Sequence, residues 1–115
     1  MRKLVYALLF ISTLNSCYYD VEEDLYPGFC NSVEVSYSRD IVPFIELRCA
    51  TPGCHIPGGT GNGDLTTYEG VKAKVDNGSL VRRVLEIGDM PGVGDLTECE
   101  LDKLRSWIDD GAENN

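Results

Sequence analysis

The stretch CATPGCH, Cys49 to His55, packs two of the five cysteines and the only histidine into a short segment of a 115-residue chain. A chain of this length forms one domain at most, and with 43% hydrophobic residues its core is small. Domains of this size often depend on a disulfide, a metal or a cofactor for stability. The five cysteines point the same way, either to an oxidising compartment where disulfides persist or to a site that consumes the thiols.

A histidine placed directly after a cysteine has a specific chemical reading. Haem becomes covalently attached when two thiols add across its vinyl groups, and the residue after the second cysteine then lies where an imidazole reaches the iron. The usual spacing is C-x-x-C-H, whereas here Ala50-Thr51-Pro52-Gly53 separates the two cysteines. The distance between the vinyl groups is fixed, so the extra residues must loop outward, and Pro52-Gly53 suits a tight turn. The residues alone leave other readings open: a small disulfide loop, half of a zinc site, or unrelated thiols beside a histidine. Zinc wants four ligands at paired spacings, and Cys30 and Cys99 each stand alone in the sequence.

Outward from the motif, the N-terminus speaks to the compartment. Arg2 and Lys3 precede the apolar run Leu4 to Leu14, which is too short to span a hydrocarbon core needing about 20 residues and reads as a secretory signal. The run closes on Leu14-Asn15-Ser16-Cys17, which resembles the lipobox of bacterial lipoproteins, with residues 1–16 as signal peptide and Cys17 as the lipidated first residue of the mature chain. Acyl chains at Cys17 would hold the protein at a membrane surface outside the cytoplasm, on the periplasmic face or at the cell surface. Residues 17–29 are acidic and aromatic, lack a helical period, and read as a tether.

Loss of Arg2 and Lys3 with the signal leaves 8 of the 10 basic residues against 19 acidic ones, a net charge of −11. Nucleic acid is not an expected partner, because phosphate binding needs a basic footprint. A basic redox partner is compatible with such a surface.

From Tyr37 onward the pattern becomes helical. Asp40 is the expected cap of IVPFIELRC, with Ile41, Phe44, Ile45 and Leu47 as the apolar face and Pro43 in the first turn. After the motif, the Gly- and Pro-rich segment His55 to Asp64 is a loop. Thr67 is the expected cap of YEGVKAKV, which Asn77-Gly78 stops. SLVRRVLEI sets Leu80, Val81, Val84 and Leu85 on one side, and MPGVGD returns to loop. Thr97-Glu98-Cys99-Glu100 is a T-x-x-E capping box for a last helix carrying Leu101, Leu104, Trp107 and Ile108 and ending at Gly111. The expected class is all-α, with no strand and no internal repeat.

Several segments now carry a resemblance: Ser36 to Pro43 before the motif, Asp64 to Val71 after it, Met90-Pro91, and Trp107 to Ala112 at the end. Together they resemble the small class I cytochrome c domains of secreted and lipid-anchored bacterial proteins, over roughly residues 30–113, and in that group the longer C-x4-C-H spacing is a recognised variant. The resemblance implies a helical fold wrapped around one haem c, held covalently by Cys49 and Cys54, with His55 and Met90 as the axial ligands of the iron. Met90 is the single thioether left once Met1 departs with the signal, and it stands in a Met-Pro pair where the family places its ligand. The first and last helices would cross, Ile41 to Leu47 meeting Leu101 to Ile108, with Trp107 a core residue against the haem or the crossing, and the apo-protein would be poorly folded. With Cys17 acylated and Cys49 and Cys54 on haem, Cys30 and Cys99 are left to pair in an oxidising compartment.

The function so implied is electron transfer outside the cytoplasm with redox proteins as partners, not enzymatic catalysis. A peroxidase or gas sensor with an open iron site, and a non-haem binding module held by disulfides, are the alternatives. GGTGNGDL lacks the G-K-[ST] ending of a phosphate loop, and a serine triad would need a histidine free to act as base.

Overall fold

The computed structural model of the protein describes residues 30–92 and 94–115. The signal segment, Cys17 and the tether up to residue 29 lie outside them. Among the described residues the chain is all helix, turn and loop, with no strand, and no helix is long and apolar enough to cross a membrane.

The first helix, α1, is continuous through three pieces, Tyr37–Ile41, Val42–Phe44 and Ile45–Cys49, of which the outer two are wound in wider π turns. Pro43 offers no N–H, and its ring collides with the carbonyl four residues back, so a tight α ladder cannot run straight through it. A wider i→i−5 bond stands just before it, from Val42 N–H to the Tyr37 carbonyl, and another closes the helix, from Ala50 N–H to the Ile45 carbonyl at 2.8 Å.

The helix starts a turn earlier than expected. Its cap is Ser36, whose hydroxyl accepts from Arg39 N–H, while Asp40 accepts from Ser36 N–H at 2.9 Å. Asp40 is thus the returning half of a reciprocal cap and not the cap itself. Leu47 also departs from expectation, being 66% exposed. The helical series from Ile41 runs 41, 44, 45, 48, which leaves Leu47 on the outer side and brings Arg48 inward.

The second helix, α2, spans Tyr68–Asp76, capped by Thr67 as the sequence predicts, with the Thr67 hydroxyl accepting from Gly70 N–H at 3.2 Å. A short π-wound helix, α3, covers Val81–Glu86. The last helix, α4, spans Glu98–Asp109 and opens with the expected capping box, Thr97 N–H donating to the Glu100 carboxylate at 2.7 Å and Glu100 N–H to the Thr97 hydroxyl at 3.2 Å.

It closes in a Schellman arrangement: Ala112 N–H reaches the Trp107 carbonyl at 2.8 Å and Gly111 N–H the Ile108 carbonyl at 3.0 Å, with Gly111 at φ +101°. The tail then folds back. Trp107 Nε1 donates to the Glu113 carbonyl at 2.9 Å, and Asn115 accepts from Tyr37 N–H through its side chain at 2.7 Å and from Ser38 N–H through its carbonyl at 3.0 Å. The free N–H groups at the start of α1 are therefore met by the far end of the sequence.

The core forms where α1 and α4 meet. Trp107, Ile41, Leu104 and Val71 are almost wholly buried, each such side chain contributing about 1.5–3 kcal/mol of transfer free energy. Tyr37 sits between two rings, 5.4 Å from Trp107 and 5.1 Å from Tyr68 between centroids, the latter edge-on. Tyr68 meets its polar requirement by donating to the Ala112 carbonyl at 2.8 Å. Trp107 thus belongs to the helix crossing. A disulfide joins Cys30 to Cys99, with Cα atoms 5.4 Å apart, and ties the segment before α1 to the first turn of α4.

Candidate functional site

The Cys49–His55 segment folds through short-range bonds that its residue types dictate. Cys54 N–H donates to the Thr51 carbonyl at 2.9 Å across Pro52-Gly53, and Gly53 has φ +85°, a turn with proline at its second position and glycine at its third. His55 N–H then returns to the Cys49 carbonyl at 3.2 Å. The residues added relative to C-x-x-C-H are in this turn, so the two cysteines and the histidine stay at its base.

The following loop is wrapped around the histidine. Leu65 N–H bonds to the His55 carbonyl at 2.9 Å, and Gly61 N–H to the Cys54 carbonyl at 3.2 Å. Gly61 lies so close to the imidazole that a Cβ there would stand 2.7 Å from Nδ1, which is why a residue without a side chain occupies the position. His55 Nδ1 is buried and has no hydrogen-bond partner.

These groups line one cavity of about 350 Å³, in the size range of ligand pockets. Its wall draws on every element: Phe44, Ile45 and Cys49 from α1, Cys54 and His55 from the turn, Leu80 and Val84 around α3, Met90 from the loop that follows, and Leu104 from α4. The four residues singled out in the sequence, Cys49, Cys54, His55 and Met90, are thereby brought to one place.

Cys49 and Cys54 are free thiols, not joined to each other. Burial, with smaller repulsion from Cys54 and Glu100, pushes the Cys49 thiol up to about 11, so the protonated thiol is favoured at neutral pH. Cys30 and Cys99 are committed to their bridge. Among the described residues no group of three or more His, Cys, Asp or Glu side chains is arranged to hold a metal ion.

The donor set fits a haem attached through both thiols. It offers two free cysteines, the imidazole of His55 and a thioether, within a wall that is mostly apolar. Sequence reasoning missed the charged part of that wall, Arg48, Lys74 and Arg83. For Arg48 a signal existed, since it completes the i, i+3, i+4, i+7 series that Ile41 begins. Lys74 and Arg83 carried none, because their place depends on how α2 and α3 fold over the loop.

Compared with known protein families, with curated proteins and with solved structures, the chain finds no match in any of the three.

Proposed function

We propose that this protein is an electron carrier working outside the cytoplasm, with one covalently bound haem c in a fold of the small class I cytochrome c type, anchored to a membrane through lipid at Cys17. The observation that carries the reading is the convergence of both free thiols, the only imidazole and Met90 on a single, mostly apolar cavity. Each of these groups has a distinct task in such a site, and neither thiol is taken up by a disulfide.

Cys49 and Cys54 would hold the group covalently through their sulfurs. His55 and Met90 would hold the iron through an imidazole nitrogen and a thioether sulfur, and a thioether donor would raise the potential relative to a second nitrogen donor. Bound there, the haem supplies one-electron exchange. The protein's part is to exclude water with Phe44, Ile45, Leu80 and Leu104, to hold the ligands, and to present an acidic exterior to redox partners of basic character.

Expression with haem-maturation machinery tests the reading. The purified protein should be coloured, should keep its haem through acid–acetone extraction, and should show the weak near-infrared sulfur-to-iron band when oxidised. A colourless, folded protein with a Cys49–Cys54 disulfide would overturn the proposal. A coloured protein that lacks the band and binds carbon monoxide readily would replace electron transfer by the open-iron reading, and Met90→Ala should convert the first behaviour into the second.

A further inference from the structure

The cavity's charge is as informative as its thiols. In a chain of net charge −9, the described residues lining it include Arg48, Lys74 and Arg83 and no carboxylate. Two of the three cations have neighbours that account for them. Arg83 Nε donates to both oxygens of Asp89, at 2.7 and 2.9 Å, and Lys74 Nζ donates to the Asn62 side-chain carbonyl at 3.3 Å.

Arg48 differs. It precedes Cys49 on the inward face of α1, and its Nε is buried without any hydrogen-bond partner. A buried guanidinium N–H with no acceptor is costly, and its usual complement is a carboxylate held by the planar fork. Among the described residues no carboxylate lines the cavity beside it. Arg48 also crosses to the loop that follows Met90: a Cβ on Gly94 would stand 2.7 Å from Arg48 Nη1, and Gly94 has φ +69°, so glycine at 94 leaves room for the guanidinium.

An occupant that completes this site must bring an apolar body for the wall and an anionic oxygen for Arg48. We propose that Arg48 receives a carboxylate of the bound porphyrin and, through that pairing, ties the Met90 loop to α1, with Lys74 as a second contact for anionic groups at the same cavity. The inference rests on the haem reading above. It makes Arg48 a positioning residue for Met90, acting through the group's acid and not on the iron itself.

The test uses the mature haem-loaded protein and Arg48→Gln, Arg48→Lys and Gly94→Ala variants. Carboxylate vibrations are followed by redox-difference infrared spectroscopy with isotope-labelled haem propionates, alongside the near-infrared band and carbon monoxide affinity of the reduced protein. Arg48→Gln should shift the labelled carboxylate signal, weaken the band and tighten carbon monoxide binding by about 10-fold, the scale on which residues behind a metal ligand act. Arg48→Lys should recover part of each effect. Gly94→Ala, which displaces the guanidinium without removing it, should move the same readouts in the same direction as Arg48→Gln and keeps the test valid if that variant loses its fold.

A coloured Arg48→Gln protein with all three readouts unchanged refutes the inference and leaves the haem reading intact. A weakened band with an unmoved carboxylate signal also refutes it, since Arg48 would then clamp the loop without binding an acid. A colourless wild type refutes both readings.

Discussion

The corner where α1 meets α4 and the cavity below it are built on opposite terms. At the corner, Trp107 Nε1, the Tyr68 hydroxyl and the first N–H groups of α1 all have partners within the chain, several of them in the tail from Ala112 to Asn115. At the cavity, Arg48 Nε and His55 Nδ1 have none, and they are the two buried side-chain polar atoms without a partner among the described residues. An orphaned buried donor or acceptor costs about 1–3 kcal/mol, and native folds seldom keep one without cause. The contrast sets a region whose polar groups are matched within the chain against one that keeps two buried polar atoms unmatched, and the proposed haem is the occupant we offer for the second.

The hardest blow to that contrast is removal of the occupant's attachment. A Cys49→Ala/Cys54→Ala double variant should lose all covalent haem, and the cavity half should lose its hydrogen-exchange protection first, from Ala50 through Leu65 and around Met90. Protection at the α1–α4 corner should outlast it, since that region makes its own contacts. Equal loss in both regions would show that the corner also depends on the bound group, and the division would fall.

Trp107→Ala breaks the comparison from the other side. The side chain is 1% exposed and does not line the cavity, so its truncation should destabilise the protein by about 3–5 kcal/mol through the void it leaves. The visible spectrum and the potential of the folded fraction should stay as in the wild type. A shift in potential would place the ring in contact with the cofactor, contrary to its position in the crossing.

What was legible in the sequence divides along the same line as what is local. The Thr67 cap, the Thr97–Glu100 box and the Pro52-Gly53 turn each depend on residues within four positions, and each is found as expected. The start of α1 was misplaced because Pro43 and Asp40 imitate a helix opening, while the true cap is completed by Asn115, which no local pattern signals. Cys49, Cys54, His55 and Met90 could be singled out because the only histidine follows a cysteine directly and methionine is scarce here, and the fold brings the four to one cavity. Arg48 was overlooked because a charged residue on an apolar face reads as solvated until something is found for it to bind.

The Cys30–Cys99 bridge sharpens the comparison from the opposite end of α4. The tail holds the helix's C-terminus, and the bridge holds its first turn to the segment ahead of α1. Cys30→Ser/Cys99→Ser should cost about 2–5 kcal/mol in denaturant unfolding, as for other native bridges of small secreted domains. The haem spectrum should be unaltered. Thiol counting on the denatured, unreduced wild type should find neither cysteine reactive, and finding both would remove the bridge from the account.

The smallest effect is a pH dependence confined to the corner. Burial by itself pushes the Asp40 carboxyl up, but the Ser36 N–H, the Arg39 guanidinium and Lys103 together outweigh it and hold the group below the usual carboxylate range. Lys103 Nζ stands 3.3 Å from Asp40 Oδ1, with both side chains largely shielded, so this contact joins α4 to α1, while the Arg39 guanidinium is closer, 2.7 Å from Oδ2, but mostly exposed, so solvent screens part of its effect. A group depressed in the folded state stabilises fully above its unfolded value, about 4, and loses that contribution as the pH falls toward the folded value. Asp40→Asn should therefore be less stable than wild type by about 1 kcal/mol at neutral pH, with the gap closing as the solution is acidified below about pH 4. Urea titrations of both proteins across that range read it directly. A gap that stays constant down to about pH 2.5 would mean that the amide's lost packing, not the ionised carboxylate, accounts for the difference.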